Sequence, residues 1–236
     1  MKSKRQTAKK ADVRDMFDSI APRYDFLNHF LSMGIDRLWR RKAIRIIGKH
    51  QHNKILDIAT GTGDMAILAS KLKPELIAGV DISSEMINIQ KQKLAKRKLD
   101  YLIKPQVADG ENIPFDTDTF DIVMTAFGVR NFENLEKGLQ EMHRVLNDGG
   151  MALILEFSSP QKSPFKQLYN FYFTRVLPRI GRLVSKDMKA YTYLPDSVST
   201  FPSGNDFTEI LKDAGFNNTQ SIPLTFGIAS IYTGEK

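Results

Sequence analysis

Residues Asp57-Ile58-Ala59-Thr60-Gly61-Thr62-Gly63-Asp64 constrain this chain more than any other stretch. A short apolar run meets two glycines two residues apart, and a helical pattern of Ala66, Ile67, Leu68, Ala69 and Leu72 follows at once. That order reads as strand, tight turn and helix, the crossover with which α/β proteins hold nucleotides. Gly61-Thr62-Gly63-Asp64-Met65-Ala66 also fits the looser form of the dinucleotide fingerprint. The carboxylates decide between ligands. A pyrophosphate is drawn to a helix N-terminus by free N–H groups and the dipole, and a carboxylate beside it repels it. Here Asp57 and Asp64 bracket the glycines. That suits a ligand with an ammonium and a sulfonium and no phosphate, which describes S-adenosylmethionine. A structural glycine turn and a pyrophosphate site are the competing readings. Asp57, Gly61 and Gly63 become cofactor-binding candidates.

Two further acids follow at strand ends. Ile77-Ala78-Gly79-Val80-Asp81 is an apolar strand closing on a carboxylate about 20 residues past the turn, where an acid can take both ribose hydroxyls. Ser83, Ser84 and Glu85 then open a helix with cap-type side chains and a negative first turn. The alternative for Asp81 is a solvated cap. Asp109 with Gly110, after Pro105-Gln106-Val107-Ala108, is placed to accept from an adenine amino group.

A chain of 236 residues suits one well-cored α/β domain with extra helices, so residues 1–236 read as a single domain. The longest apolar run, around Met151 to Phe157, is far short of a membrane span, and the basic start has no apolar stretch to make a signal peptide. A cytosolic protein is expected. The absence of cysteine excludes thiolate chemistry and disulfides, and four scattered histidines make no metal site. The formal charge of +7 is concentrated. Residues 1–14 hold six Lys/Arg against Asp12, and residues 161–190 hold seven against Asp187, so the remainder is net acidic. The basicity is local, and nucleic acid is not the expected partner.

Along the chain, Val13, Met16, Phe17 and Ile20 predict an amphipathic helix ending near Ala21-Pro22, and Trp39, Ala43, Ile46 and Ile47 a second one before Gly48. Strands are expected at 54–58, 77–80, 103–108, 120–126 and 151–157, with helices at 84–97 and 133–146, the latter closed by Asp148-Gly149-Gly150. The alternation means parallel βαβ units. Residues 158–204 break the rhythm and read as an inserted helical lid. A helix through Phe207, Ile210, Leu211 and Ala214 follows, then strands near 217–224 and 226–233 joined as a hairpin around Thr225. One of that pair must run against the parallel sheet.

Arg23-Tyr24-Asp25, the Asp57–Asp64 turn, Ile113-Pro114-Phe115, Phe127-Gly128-Val129-Arg130-Asn131, Ser199-Thr200-Phe201-Pro202 and Thr225-Phe226-Gly227 together closely resemble the menaquinone and ubiquinone biosynthesis C-methyltransferases. The closing hairpin likewise resembles the class I methyltransferase sheet. The match runs from about residue 12 to the C-terminus, and Phe-Gly-x-Arg-Asn is far more specific than the glycine turn. The resemblance implies a Rossmann-like α/β fold with N-terminal helices in residues 1–50, S-adenosylmethionine as cofactor, and a prenylated quinol as substrate, demethylmenaquinol first. Cofactor contacts carry over to Thr62, Asp81, Asp109 and Gly110. Where some relatives have Ser before Phe-Gly, this chain has Ala126, so that side chain offers no hydrogen bond.

Methylating a ring carbon requires an electron-rich ring, which a quinol provides once a hydroxyl loses its proton. Arg130, just past the fourth strand, is the candidate to stabilise the phenolate, and Asn131 can orient a second hydroxyl; alternatively Arg130 pairs with an acid such as Glu133. Tyr24 either lines the quinol pocket or packs structurally. No residue declares itself as a general base. In the lid, Phe165, Leu168, Tyr169, Tyr172, Phe173 and Val176 share one helical face, with Arg175, Arg179, Arg182 and Lys186 near it. That pattern suits peripheral contact with an anionic membrane surface. Packing on the protein's own core or at a homodimer contact is the alternative.

Overall fold

The computed structural model describes residues 9–160, 163, 164, 166, 167 and 188–236. The chain begins with helices α1 (Lys10–Ile20), α2 (Tyr24–Leu31) and α3 (Asp36–Ile47). The α/β body then runs β1 (Lys54–Ile58), α4 (Asp64–Ala69), β2 (Leu76–Asp81), α5 (Ser84–Arg97), β3 (Ile103–Val107), β4 (Phe120–Ala126), α6 (Leu135–Val145) and β5 (Leu146–Phe157). After it come α7 (Met188–Thr200), α8 (Asn205–Asp213), β6 (Asn217–Leu224) and β7 (Ala229–Glu235). Among the described residues the strands form one sheet in the order β3-β2-β1-β4-β5-β7-β6. The first five are parallel, while β7 runs antiparallel to both β5 and β6. The closing hairpin therefore reverses one strand, as its short link requires.

The central strands are apolar on both faces because helices cover both sides. Ile55 of β1 and Ile122 and Met124 of β4 face a layer that includes Trp39, Ala43, Ile47, Met65 and Ala66. Leu56, Ile58 and Val123 point the other way, towards Leu139, Met142, Phe207 and Leu211. Alternate residues of one strand thus feed two cores. The long helix of the first half has the expected bounds because both of its ends are chemically marked. Ser83 accepts the Met86 N–H at its start, and Lys98 closes it in a left-handed conformation.

Three expectations change. Helix α2 is missed by the sequence reading, which takes Pro22 as a stop. The residues Ala21–Arg23 instead form a 3₁₀ turn with Pro22 in its first turn, where a missing N–H costs nothing, and the helical path resumes. Asp148-Gly149-Gly150 is no helix stop. Strand β5 starts directly at Leu146, and the register jumps from Phe120–Leu146 to Ile122–Met151, which makes this stretch a bulge. The last strand begins at Ala229 and not 226, because Thr225–Gly227 turn through positive φ.

Strands β1 and β4 approach so closely at their C-terminal ends that only glycine fits between them. A Cβ on Gly128 would stand 2.5 Å from the Cβ of Ala59 and 2.8 Å from Thr125 Oγ1. The expected result of Gly128→Ala is therefore a loss of about 1–3 kcal/mol of stability from overpacking, measured as a lower denaturant midpoint with an unchanged slope. A variant as stable as the parent contradicts this crowding.

Candidate active site

The glycine turn is held from behind by buried polar groups. Asp57 is 1 % exposed, and its Oδ2 accepts the Thr60 hydroxyl at 2.7 Å, while Thr60 Oγ1 in turn accepts from Gln90 Nε2 at 3.2 Å. Gly63, at φ 86°, packs against that glutamine so tightly that a Cβ would meet its Cγ at 2.7 Å. Burial pushes the Asp57 carboxyl up to about 7, against the pull of Thr60 and the charge of Arg40.

In front of the turn, at the C-terminal ends of β1, β2 and β4, lies an open cavity of about 640 Å³ with its mouth included. Its wall contains Gly61, Asp81, Asp109, Gly110 and Asn131, and Tyr24 comes from the N-terminal helices. Asp57, Thr62 and Gly63 are not in that wall. Asp57 and Gly63 shape the turn. The Thr62 hydroxyl donates to Asp25 and lies 3.2 Å from Lys93 Nζ. Lys93 also holds Asp64 at 2.6 Å, which lowers the Asp64 pKa despite its partial burial. The turn's two acids are therefore occupied within the protein, so the sequence argument that they face the ligand directly is not how the structure uses them.

Asp81 is the strand-end acid best placed for a sugar. Its Oδ2 accepts the Gly61 N–H at 2.8 Å and its Oδ1 the Ser83 N–H at 2.9 Å. Each oxygen keeps a lone pair for a further donor. Burial raises its pKa to about 6. Asp109 accepts from Glu111 N–H at 2.9 Å and from Lys10 Nζ at 2.6 Å, so an amino donor there shares the carboxylate with a lysine. That lysine comes from α1, and sequence reasoning missed its role. It is one of three such contacts: Asp18 accepts from the Ser83 hydroxyl, and Asp25 accepts from Thr62 and, at 2.8 Å, from Lys93. Each loop that follows β1, β2 and β3 is thereby tied to the α1–α2 segment, which roofs the cavity with Val13, Phe17 and Tyr24. Tyr24 is desolvated, which raises its phenol pKa in spite of the nearby Arg130 and Arg40 charges.

The Phe127–Asn131 segment closes the opposite wall. Asn131 lines the cavity, and its Oδ1 accepts the Tyr193 hydroxyl at 2.9 Å. Arg130 is 9 % exposed and outside the cavity wall. Its partner is Glu156 and not Glu133: Nη1 lies 2.8 Å from Glu156 Oε1 and also donates to the Phe127 carbonyl. Glu156, at the end of β5, was invisible as a partner because only sheet formation brings it beside residue 130. The guanidinium stands 5.5 Å over the Phe157 ring, which stacks on Phe127 at 4.5 Å. The lid residues named from sequence, from Phe165 to Lys186 save for Lys166, lie outside the described residues. Among the described residues no helix is long and apolar enough to cross a membrane, and no cluster of His and acids could hold a metal.

A ligand held here meets carboxylates at two strand ends, apolar side chains between them and backbone at Gly61 and Gly110. Among the described residues it meets no row of unengaged cations for a pyrophosphate. The model of the ubiE/COQ5 methyltransferase family matches residues 4–236. This chain belongs to that family. The ubiquinone/menaquinone biosynthesis C-methyltransferase UbiE of Geotalea daltonii is 51 % identical over 98 % of both chains. The demethylmenaquinone methyltransferase of Bacteroides fragilis is 46 % identical over 97 % of this chain and 94 % of that protein. Among solved structures, a SAM-dependent methyltransferase from Aquifex aeolicus covers 83 % of this chain and 88 % of its own, with a TM-score of 0.59 at 19 % identity, a likeness of fold. The chain is an S-adenosylmethionine-dependent methyltransferase with the class I Rossmann-like sheet.

The buried Asp57 gives the family's turn a measurable signature. A carboxyl whose folded pKa is raised binds more protons folded than unfolded, so its burial destabilises the protein progressively as pH rises from about 4 to about 7. Asp57→Asn removes that penalty. Its thermal midpoint relative to the parent should therefore rise between pH 4 and pH 8, by the equivalent of a few kcal/mol. A difference independent of pH shows that Asp57 is ionised throughout.

Proposed function

We propose that this enzyme transfers a methyl group to a ring carbon of a prenylated quinol, demethylmenaquinol being the substrate, to give menaquinol. The observation that carries the reading is the Phe127–Asn131 segment. It places a cavity-facing amide at Asn131 and a buried guanidinium at Arg130 beside a wall that also carries Phe17, Phe127 and Phe132. The Bacteroides fragilis relative is named for demethylmenaquinone, which supports it, while the Geotalea daltonii relative is named for ubiquinone and menaquinone biosynthesis together.

In this reading S-adenosylmethionine supplies an electrophilic methyl on sulfur. Asp81 accepts from the ribose hydroxyls and Asp109 from the adenine amino group, with Gly61 and Gly110 allowing close backbone approach. Asn131, fixed by Tyr193, donates its N–H to one quinol oxygen, and Tyr24, protonated at neutral pH, closes the other side. Arg130 favours loss of the other hydroxyl proton. Because it stands behind the cavity wall and Glu156 already neutralises it, the guanidinium acts through its field and that field is weakened. Its effect then falls near the low end of the usual range, about one pKa unit or roughly tenfold in phenolate. The ring carbon ortho to that oxygen would take the methyl as the carbon–sulfur bond breaks, leaving S-adenosylhomocysteine, and the ring proton would pass to solvent as aromaticity returns. Alignment of the two reactants contributes a further share, up to about 7–11 kcal/mol. The prenyl tail makes the bilayer surface the place of substrate uptake, and peripheral contact with an anionic membrane is part of the reading.

Three measurements test it. Purified enzyme should methylate the reduced substrate only, since a quinone has no hydroxyl to ionise; equal rates on quinone and quinol reject the phenolate route. Asn131→Ala should lower kcat about 10- to 100-fold by loss of proper orientation, leaving cofactor affinity measured by calorimetry intact, whereas a kcat like the parent's removes Asn131 from the site. Asp81→Asn should weaken S-adenosylmethionine binding by about 1.5–3 kcal/mol through lost charge-assisted hydrogen bonds. Parent-like affinity displaces the ribose from Asp81.

A further inference from the structure

S-adenosylmethionine carries an α-carboxylate as well as its ammonium and sulfonium, and the acids of this cavity offer that carboxylate nothing. A cation with a free donor fork is the strongest partner for it. Three of the cations around the glycine turn are already engaged: Lys93 between Asp25 and Asp64 at 2.8 and 2.6 Å, Arg130 on Glu156 at 2.8 Å, and Lys10 on Asp109 at 2.6 Å. Arg40 of α3 differs. It is 8 % exposed, and its single side-chain hydrogen bond runs from Nε to Asp36 Oδ2 at the long distance of 3.5 Å. Asp36 has better donors in His29 Nδ1 at 2.9 Å and Ser32 Oγ at 2.7 Å. The two terminal nitrogens of Arg40, which carry the fork that matches a carboxylate, make no hydrogen bond among the described residues. Arg40 stands behind the cavity wall, its Cζ 5.1 Å over the ring of Phe127, which belongs to that wall. Its charge also acts on Asp57 and Asp64, either side of the glycine turn, and on Tyr24 of the cavity wall.

We propose that Arg40 is the cofactor's carboxylate anchor, its unengaged fork binding the methionyl carboxylate of S-adenosylmethionine bidentately at the Phe127 side of the cavity. Such a residue sets selectivity for the amino-acid end of the cofactor, where the strand-end acids read the nucleoside. The inference rests on S-adenosylmethionine as methyl donor and is independent of which quinol accepts the methyl.

The test compares S-adenosylmethionine with decarboxylated S-adenosylmethionine, which keeps the ammonium, the sulfonium and the nucleoside. By calorimetry the parent protein should bind the complete cofactor about 10- to 100-fold more tightly, as expected for a charge-assisted bidentate pair. Arg40→Gln should lose that factor for S-adenosylmethionine and bind the decarboxylated compound as the parent does, so that the preference disappears. Equal weakening of both ligands assigns Arg40 to the framework and overturns the proposal, as does a preference that survives the substitution. Should Arg40→Gln fail to fold, Arg40→Lys keeps a charge beside Asp36 but lacks the planar fork. The preference must then shrink, and an unchanged preference is equally fatal. Because only binding is read, failure here leaves the quinol assignment standing.

Discussion

The Asp57 carboxylate, sealed behind the glycine turn and tied to the Thr60 hydroxyl, is the contact on which the rest of this site is built. Thr60 links β1 to α5 through Gln90, and its backbone N–H reaches the carbonyl of Val80 in β2, so one residue ties the end of β1 to both neighbours. Gly61 is thereby presented to Asp81, and the cavity floor follows from that. A buried carboxyl with so few donors is costly. It is tolerated because the alternative, an apolar residue, would leave the buried Thr60 hydroxyl without its acceptor.

A second constraint is the covering of both sheet faces. With β1 and β4 buried on either side, their C-terminal ends have only one open direction, and the polar residues that terminate them collect there. Asp81 and Asn131 reach a common cavity although 50 residues separate them. This is the general logic of open parallel sheets, in which ligands gather beyond the carboxyl ends of the strands. The fold alone says nothing about the chemistry performed; the Phe127–Asn131 segment, with Glu156 behind it, is where this chain differs from a bare nucleotide-binding sheet.

Legibility in the sequence followed the range of the interactions. The βαβ body was readable because apolar runs, glycines and a serine cap are local signals, and α5 came out with both its bounds. Helix α2 was lost because Pro22 says only that its own N–H is missing, and not whether the chain turns away. For Arg130 the sequence offered a phenolate-stabilising role or a pair with an acid such as Glu133, yet its partner came from a strand 26 residues on, beyond any sequence rule. The acids of the turn were seen, but their direction was not: Asp57 and Asp64 serve the protein's own Thr60, Lys93 and His29. The partners of Lys10, Asp18 and Asp25 had no local signal, since a charge waiting for a partner and a charge facing water look the same in one dimension.

Those three side chains divide the molecule into parts of unequal strength. The floor is fixed by apolar burial on both faces of a sheet, which salt hardly touches. The roof is fastened at its polar rim by part-exposed ionic and hydroxyl contacts, each worth about 1 kcal/mol or less, and it spans every loop that the nucleoside must pass. A rise in ionic strength therefore loosens the clasp of the roof while the base stays as it is.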